Sequence, residues 1–344
     1  MRKTIAIILA AGKSTRMHSS FSKVLHKIYG KPMICYVLDT IRTIKIPKSI
    51  IITNGNGQIK NICKSYKNVE FVKQKKLLGT GHAVMQARKA LSKFDGDVLI
   101  IYGDMPLLTS HTLMKLLDKH KGSLAACTLL TTKLTNPSGY GRIIRNADDK
   151  VVKIVEEQDA SIYERAIEEI NVGVYCFRAK ALFGVIDGLA ADNRKKEYYL
   201  TDVIGFFARR GFGIESIHAD DVGETIGVNS RQHLAKAQEI ARNRILDEMM
   251  ANGVGIIDPS TTHIYNDVII GQDTVIYPFT VIESDVKIGK RCKIGPFSRI
   301  KSYTEVKDEV EIASFTEVGD RIIPPESVVS GNPARIQKKP KRRT

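Results

Sequence analysis

Three cations surround a tight turn near the start of the chain. Residues 9–17 read Leu-Ala-Ala-Gly-Lys-Ser-Thr-Arg-Met, so an apolar run ends in three small residues. Small residues let a ligand approach the backbone closely, and Lys13, Arg16 and Lys23 supply positive charge around them. A strand that ends in such a loop is suited to bind phosphate. Nucleotide chemistry is therefore the first hypothesis.

Two oxygen-bearing side chains further along the chain could hold a divalent metal ion. Asp104 follows Gly103 at the end of an apolar run, which is where a metal-binding carboxylate lies in an α/β sheet. Asn229 could add an amide oxygen. The alternative for Asp104 is a turn or cap residue, because Met and Pro follow it.

Transfer of a nucleotidyl group to a sugar phosphate would need no general base. The nucleophile is a phosphate oxygen, whose second pKa of about 6 leaves it ionised at pH 7. The protein must instead reduce the repulsion between two anions and hold them in line. Cationic side chains, a metal ion and backbone N–H groups do this, and no catalytic His or Ser constellation is required.

An alternation of strand-like and helix-like segments over the first 228 residues must position these side chains. It predicts an α/β fold with a mainly parallel sheet, in which ligands bind at the carboxyl ends of the strands. The expected strands are residues 5–9, 50–53, 69–72, 98–102 and 124–130, and the expected helices include 33–43 and 80–91. A further amphipathic helix, capped by Ser230 and running to about Met250, is expected to connect two domains.

The period of the sequence then changes to six. Ten β-branched aliphatic residues follow at this spacing: Ile264, Ile270, Ile276, Ile282, Ile288, Ile294, Ile300, Val306, Ile312 and Val318. A small or β-branched residue stands two positions before each of them. Such a hexapeptide repeat predicts a parallel β-helix of triangular section with the aliphatic residues inside, and so short a solenoid is expected to gain stability by association.

The composition favours a cytoplasmic protein that acts on small anions. The five cysteines are far apart and odd in number, which is typical of free thiols in a reducing compartment. No apolar run of about 18 residues is present, so no membrane span is expected. The net charge of +16 would attract anionic substrates. A nucleic-acid partner is the less favoured interpretation, because the lysines are spread along the chain and only residues 338–343 form a basic cluster.

Several motifs together resemble one enzyme family. The loop at residues 9–17 with Lys23 is similar to the signature of the sugar-nucleotide pyrophosphorylases. The match narrows to the N-acetylglucosamine-1-phosphate uridylyltransferases through Gln74 with Leu78-Gly-Thr-Gly-His82, Tyr102-Gly-Asp-Met-Pro106, Gly139-Tyr-Gly-Arg142, Ile154-Val-Glu-Glu157, Glu169-Ile-Asn-Val-Gly173, Tyr198-Tyr-Leu-Thr-Asp202 and Gly227-Val-Asn229, in this order. The resemblance implies UTP and N-acetylglucosamine 1-phosphate as substrates, Mg²⁺ as cofactor, and a Rossmann-like domain followed by a left-handed parallel β-helix.

The resemblance also assigns roles to single residues. Arg16 and Lys23 would be catalytic, and Asp104 and Asn229 would hold Mg²⁺. The nucleotide would be bound by Leu9, Ala10, Ala11, Gly12, Lys23, Gln74, Gly79, Thr80 and Gly103, with Gln74 and Gly79 at the uracil edge. The sugar would be surrounded by Gly141, Glu156, Asn171, Tyr199 and Thr201.

The chain departs from the family pattern at two places. Ser22 stands where the family usually has proline before the catalytic lysine, and Lys301 replaces an arginine that binds the amino sugar. The later β-helix coils, which carry an acetyltransferase in bifunctional relatives, have no counterpart in this sequence. We therefore expect no acetyltransferase activity, and a β-helix that holds the chains as a homotrimer.

These observations predict four segments: a nucleotidyltransferase domain at 1–228, a connecting helix at 229–252, the hexapeptide β-helix at 253–335 and a basic tail at 336–344. Two alternatives stay open. One is the same chemistry on another sugar 1-phosphate or nucleoside triphosphate, such as glucose 1-phosphate or dTTP. The other is a non-catalytic assembly or regulatory protein that keeps the fold.

Overall fold

The structure, a computed structural model, describes residues 2–12, 15–55 and 57–338. Lys13 and the end of the basic cluster, residues 339–343, lie outside the described residues. The chain divides into two units. The first comprises residues up to 26 and 32–234, and the second comprises residues 27–31 and those from 235 onward.

The chain up to α8 alternates strands and helices. The strands are β1 (Thr4–Leu9), β2 (Lys27–Ile28), β3 (Lys31–Pro32), β4 (Ser49–Thr53), β5 (Val69–Lys73), β6 (Asp97–Tyr102), β7 (Cys127–Lys133), β8 (Arg142–Arg145), β9 (Val151–Val155), β10 (Glu169–Arg178) and β11 (Ile214–His218). The helices are α1 (Met33–Thr43), α2 (Gln58–Ile62), α3 (Thr80–Met85), α4 (Ser110–Gly122), α5 (Ile162–Arg165), α6 (Ala179–Val185), α7 (Asp202–Arg209) and α8 (Arg231–Ala251). Single 3-10 turns occur at Thr15–Met17, Lys23–Leu25, Cys63–Ser65, Lys89–Leu91, Ile186–Gly188 and Val222–Thr225.

The main sheet of the first unit has the strand order β11-β7-β10-β6-β1-β4-β5. Every neighbouring pair in it is parallel except the two that β10 makes. Alternate residues of the central strands enter two separate cores, because successive side chains point to opposite faces. Ile7 and Ile100 pack with α3, α6 and α7, and Ile8 and Leu99 pack with α1 and α4. The mainly parallel α/β fold predicted from the sequence is confirmed.

Three local expectations were wrong or incomplete. The strand expected at 124–130 begins only at Cys127, and Leu124 is 94% exposed. The helix expected at 80–91 ends at Met85, because the next backbone N–H groups bond to carbonyls three residues back and tighten the chain into 3-10 turns. Strand β10 was not expected, although its apolar run fits a buried strand.

The second unit is built from short parallel strands. They are β12 (Gly255–Ile256), β13 (His263–Ile264), β14 (Ile269–Ile270), β15 (Val275–Ile276), β16 (Val281–Ile282), β17 (Lys287–Ile288), β18 (Lys293–Ile294), β19 (Arg299–Ile300), β20 (Glu305–Val306), β21 (Glu311–Ile312), β22 (Glu317–Val318), β23 (Ile322–Ile323), β24 (Ser327–Ser330) and β25 (Arg335–Lys338). They stack as β12-β15-β18-β21-β24, β13-β16-β19-β22 and β14-β17-β20-β23, and β25 pairs antiparallel with β24.

Strands β13 to β22 stack at 18 residues per turn, three hexads, as the repeat predicts. The first turn, from β12 to β15, takes 20 residues, and the last turns, ending at β23 and β24, take 17. The aliphatic residue of each hexad ends a strand and, with the exception of half-buried Ile270, is buried in the interior. Corner residues at the same spacing adopt a left-handed backbone, among them Asp273, Phe279 and Asp285. Helix α8 adds Leu246 to the interior cluster. No helix in the described part of the chain is both long and apolar enough to span a membrane.

Candidate active site

A cavity of about 860 Å³ lies in the first unit at the carboxyl ends of β1, β5 and β6. Its walls include most of the residues predicted from the sequence: Leu9, Ala10, Ala11, Gly12, Arg16, Lys23, Gln74, Gly79, Thr80, Asp104, Gly141, Glu156, Asn171 and Asn229. Gly103, Tyr199 and Thr201 do not line it. The volume is in the range of small-molecule sites in proteins.

The turn after β1 is fixed by its neighbouring strands. The N–H of Ala10 donates to the carbonyl of Ile52 at 2.9 Å, and the N–H of Gly103 donates to the carbonyl of Leu9 at 3.0 Å. A Cβ on Gly103 would lie 3.2 Å from Val24, whereas a Cβ on Gly12 would meet nothing within 4 Å. A side chain would therefore have space at Gly12, whereas Gly103 packs closely against Val24 behind the turn.

The cationic and oxygen-bearing side chains meet at one point. The ammonium of Lys23 forms an ion pair with Asp104 Oδ2 and donates to Asn229 Oδ1 at 2.7 Å. Arg16 donates to the same Asn229 oxygen at 3.2 Å. The amide nitrogen of Asn229 donates to the carbonyl of Gly227 at 3.2 Å, so the amide oxygen must face the cations. Val228 donates to the carbonyl of Asp104 at 2.9 Å, which holds the two segments together.

This point has the donor set of a Mg²⁺ site. Two hard oxygens, one from a carboxylate and one from an amide, already converge on a positive charge. Mg²⁺ is usually held by one or two protein carboxylates, with water and substrate phosphates completing its shell. Among residues 2–12, 15–55 and 57–338, no group of three His, Cys, Asp or Glu side chains could hold a metal ion. Asp104 and Asn229 therefore fit an ion that shares its coordination with a substrate.

One side of the cavity is shaped by the segment from Gln74 to Thr80. Gln74 is buried, and its Nε2 donates to the carbonyl of Gly79 at 3.1 Å. Gly79 has a φ of +104°, and a Cβ there would lie 2.6 Å from the carbonyl oxygen of Tyr198, so only glycine fits. The hydroxyl of Thr80 accepts from the N–H of Leu200 at 3.1 Å. Gln74, Gly79 and Thr80 therefore form one wall of the cavity, and the first two are the residues predicted at the uracil edge.

Another part of the cavity wall is acidic and polar. Glu156 accepts from the hydroxyl of Thr201 at 2.9 Å, so Thr201 acts on the cavity through Glu156. Burial raises the pKa of Glu156. Asn171 donates to the hydroxyl of Tyr175 at 2.6 Å, and its oxygen accepts from the N–H of Gly173 at 3.1 Å.

Tyr199 does not reach the cavity. Its side chain is buried, and its hydroxyl has no hydrogen-bond partner among the described residues. Burial raises its pKa. A wall position for this residue is not supported by the geometry, since the sequence places it beside Thr201 but does not set its orientation.

The two departures from the family pattern have different surroundings. Ser22 lines the cavity with φ −57° and ψ 133°, and its N–H donates to Gln58 Oε1 at 3.4 Å. Lys301 lies on the β-helix and forms an ion pair with Glu317.

Sequence reasoning missed some residues of the cavity. Tyr102, Tyr140, Glu197 and His233 all line it. Tyr140 lies inside one of the family motifs, whose Arg142 is buried and forms an ion pair with Glu157 at 2.8 Å. In the motif Gly139-Tyr-Gly-Arg142, the arginine after the second glycine was a usable signal that this segment contributes to the cavity. No local signal marks His233.

Comparisons with known proteins find a matching family for each of the two units. A family model described as MobA-like NTP transferase domain matches residues 6–198, and a bacterial transferase hexapeptide model matches residues 267–302. The chain is 48% identical to the bifunctional protein GlmU of Geobacillus sp. (strain WCH70), over 82% of this chain and 61% of that protein. The corresponding values for the bifunctional protein GlmU of Shouchella clausii are 44%, 82% and 62%. The chain spans about three fifths of the length of these curated relatives.

Proposed function

Because the chain belongs to the family of MobA-like NTP transferase domains, we propose that it transfers the uridylyl group of UTP to N-acetylglucosamine 1-phosphate. The family model covers more than half of the chain, which supports a nucleotidyltransferase activity. The proposal concerns its two substrates. It is supported by the motif order described above and by the similarity to the bifunctional GlmU proteins.

The meeting of Lys23, Arg16, Asp104 and Asn229 at one point of the cavity carries the proposal. A protein that kept the fold without catalysis would have no need to keep two cations and two hard oxygens together beside the phosphate-binding turn. The alternative of a non-catalytic assembly protein is therefore disfavoured.

In the proposed reaction, a phosphate oxygen of the sugar phosphate attacks the α-phosphorus of UTP. A new P–O bond forms there, and the bond to the oxygen that bridges to the β-phosphorus breaks, so pyrophosphate leaves. The attacking oxygen is already ionised, so no proton has to be removed. Arg16 and Lys23 would reduce the repulsion between the two anions and stabilise the charge that accumulates in the transition state.

Mg²⁺ is the proposed cofactor, held by Asp104 and Asn229. When bound, it would neutralise charge on the phosphates. The ammonium of Lys23 is held by the same two oxygens, so a cation fits at this point. The uridine would lie against residues 10–12 and the wall formed by Gln74, Gly79 and Thr80. The sugar would lie against Gly141, Glu156 and Asn171.

The test is release of pyrophosphate from the purified protein given UTP, N-acetylglucosamine 1-phosphate and Mg²⁺. We expect turnover that requires all three and stops with a chelator. Equal turnover with glucose 1-phosphate, or a higher rate with dTTP or CTP, would show that the substrates differ from those proposed. No turnover with any pair would overturn the proposal. Glucosamine 1-phosphate with and without acetyl-CoA belongs in the same panel, because it tests the expected lack of acetyltransferase activity.

We also propose that the β-helix associates in threes. It has three stacks of parallel strands and only a few coils, and flat-sided prisms of this kind pack around a three-fold axis. Light scattering of the purified protein at several concentrations should give three times the mass of one 38.3 kDa chain. A monomer mass at all concentrations would contradict this.

A further inference from the structure

Gln74 has no spare hydrogen to offer the cavity. Its Nε2 carries two hydrogens. One points to the carbonyl oxygen of Gly79 at 3.1 Å, and the other points to Nδ1 of His82 at 3.0 Å. A backbone carbonyl can only accept, so it requires the nitrogen of the amide on its side. The oxygen of the amide, Oε1, is therefore the group that Gln74 can present to a ligand.

The contact with His82 sets the protonation of the imidazole. For Nδ1 to accept from Gln74, the ring must be neutral with its proton on Nε2. Burial, together with the charge of Lys76, lowers the pKa of His82, which keeps the ring neutral at pH 7. A protonated ring would turn a donor toward the Gln74 nitrogen and oppose the contact.

A second amide lies on the other side of the ring. Gln86 Nε2 is 3.3 Å from Nε2 of His82 and donates to the backbone carbonyl of His82 at 3.0 Å. A neutral imidazole can accept at only one nitrogen. The shorter contact is to Gln74, and Gln74 is buried whereas Gln86 is half-buried and can reach water. Nδ1 is therefore the accepting atom of His82, and Gln86 does not determine the orientation of the Gln74 amide.

We propose that His82 is a positioning residue that makes this site select uracil over cytosine, by holding Gln74 with its amide oxygen toward the base. This rests on the proposed function, because it assumes that Gln74 meets the base. Uracil carries an N–H at position 3, which needs an acceptor, whereas cytosine carries a lone pair there, which needs a donor. An amide held with its oxygen toward the base accepts from uracil and opposes cytosine. His82 does not line the cavity, so it would act through Gln74.

The test compares His82→Phe, which keeps a ring but removes the acceptor, with His82→Asn, whose side-chain oxygen can take the position of Nδ1. Each variant is assayed for pyrophosphate release with UTP and with CTP. For His82→Phe we expect the ratio of kcat/KM for UTP over CTP to fall about tenfold. The fall should come from a higher KM for UTP with kcat changed less than threefold, because the phosphates and the sugar are held by other residues. His82→Asn should recover most of the ratio.

Gln86→Leu is the matched control, since it removes the amide on the other side of the same ring. It should leave the ratio within twofold of the unchanged protein. Circular dichroism melting confirms that each variant is folded, and the ratio of two substrates on one preparation does not depend on the folded fraction. An unchanged ratio in His82→Phe would overturn the inference, as would a loss in Gln86→Leu equal to that in His82→Phe. If the unchanged protein shows no activity with UTP, the proposed function itself fails.

Discussion

Replacing Ser22 by proline tests how the loop before Lys23 is held. The φ of Ser22 is −57°, which lies inside the range of about −65 ± 15° that proline imposes. The substitution therefore requires no change at this torsion angle. Proline lacks an N–H, so the hydrogen bond from Ser22 to Gln58 Oε1, 3.4 Å long, is lost.

The two effects on stability have opposite signs and similar size. A hydrogen bond contributes about 0.5–1.5 kcal/mol net, and one this long belongs at the lower end. A proline at a compatible position stabilises by about 0.4–1 kcal/mol, because the unfolded chain loses freedom. We expect a change in the free energy of unfolding within about 1 kcal/mol, which is about 2–4 °C in Tm for a domain of this size. The rate of pyrophosphate release should stay within about fivefold, because a change of 1 kcal/mol in the activation barrier alters a rate about fivefold.

Gln58→Met separates the hydrogen bond from other effects of the loop. It removes the accepting oxygen but keeps the length of the side chain. It should destabilise the unchanged protein by about 0.5 kcal/mol more than it destabilises the proline variant, because the bond is already absent there. Denaturant melts of the four proteins measure this difference. Strict additivity would show that the bond contributes nothing, and a loss above about 2 kcal/mol in Ser22→Pro would refute the backbone argument.

Three further predictions concern charge. Lys23→Met should lower kcat for pyrophosphate release about 10²–10³-fold, while Lys115→Met, at an exposed ion pair, should leave it unchanged. Burial raises the pKa of Asp202 from 3.8 to about 6, so its contribution to stability is full below pH 3.8 and is lost as the pH rises through 6. Asp202→Asn should therefore melt above the unchanged protein at pH 8, and the difference should vanish toward pH 4. Glu157→Ala should lower the free energy of unfolding by about 2–3 kcal/mol in denaturant melts, because it leaves the buried Arg142 without its counter-charge.

The parts of the fold that were predictable are those set by short-range patterns. The run ending at Leu9 and the hexads of the β-helix each carry their own period, so neighbouring residues are enough to identify them. The apolar run of β10 was a usable local signal for a strand, but nothing local says that this strand enters the sheet antiparallel between β6 and β7. The start of β7 was misplaced because Leu124 is apolar but exposed, and hydrophobicity alone does not show which apolar residues are buried.

The candidate site likewise has features that local sequence predicts and features that it does not. Residues at strand ends, such as Asp104, could be proposed from local sequence because the carboxyl ends of parallel strands share one edge. The direction in which a side chain points could not be predicted in this way. Tyr199 and Thr201 are two residues apart, yet one hydroxyl is buried without a partner among the described residues and the other holds Glu156.

The joint position of Lys23, Asp104 and Asn229 changes how variants of the site must be read. Lys23 and Asn229 are 206 residues apart, so their contact was not visible in any motif. The same Asp104 oxygen that is proposed to hold Mg²⁺ also balances the charge of Lys23, whose side chain is only 17% exposed. Removing the carboxylate as Asp104→Ala would leave that ammonium with less compensation, and lost activity could reflect a displaced lysine. Asp104→Asn keeps an oxygen that can accept from Lys23 and removes only the negative charge, so its kinetics report on the metal role more directly.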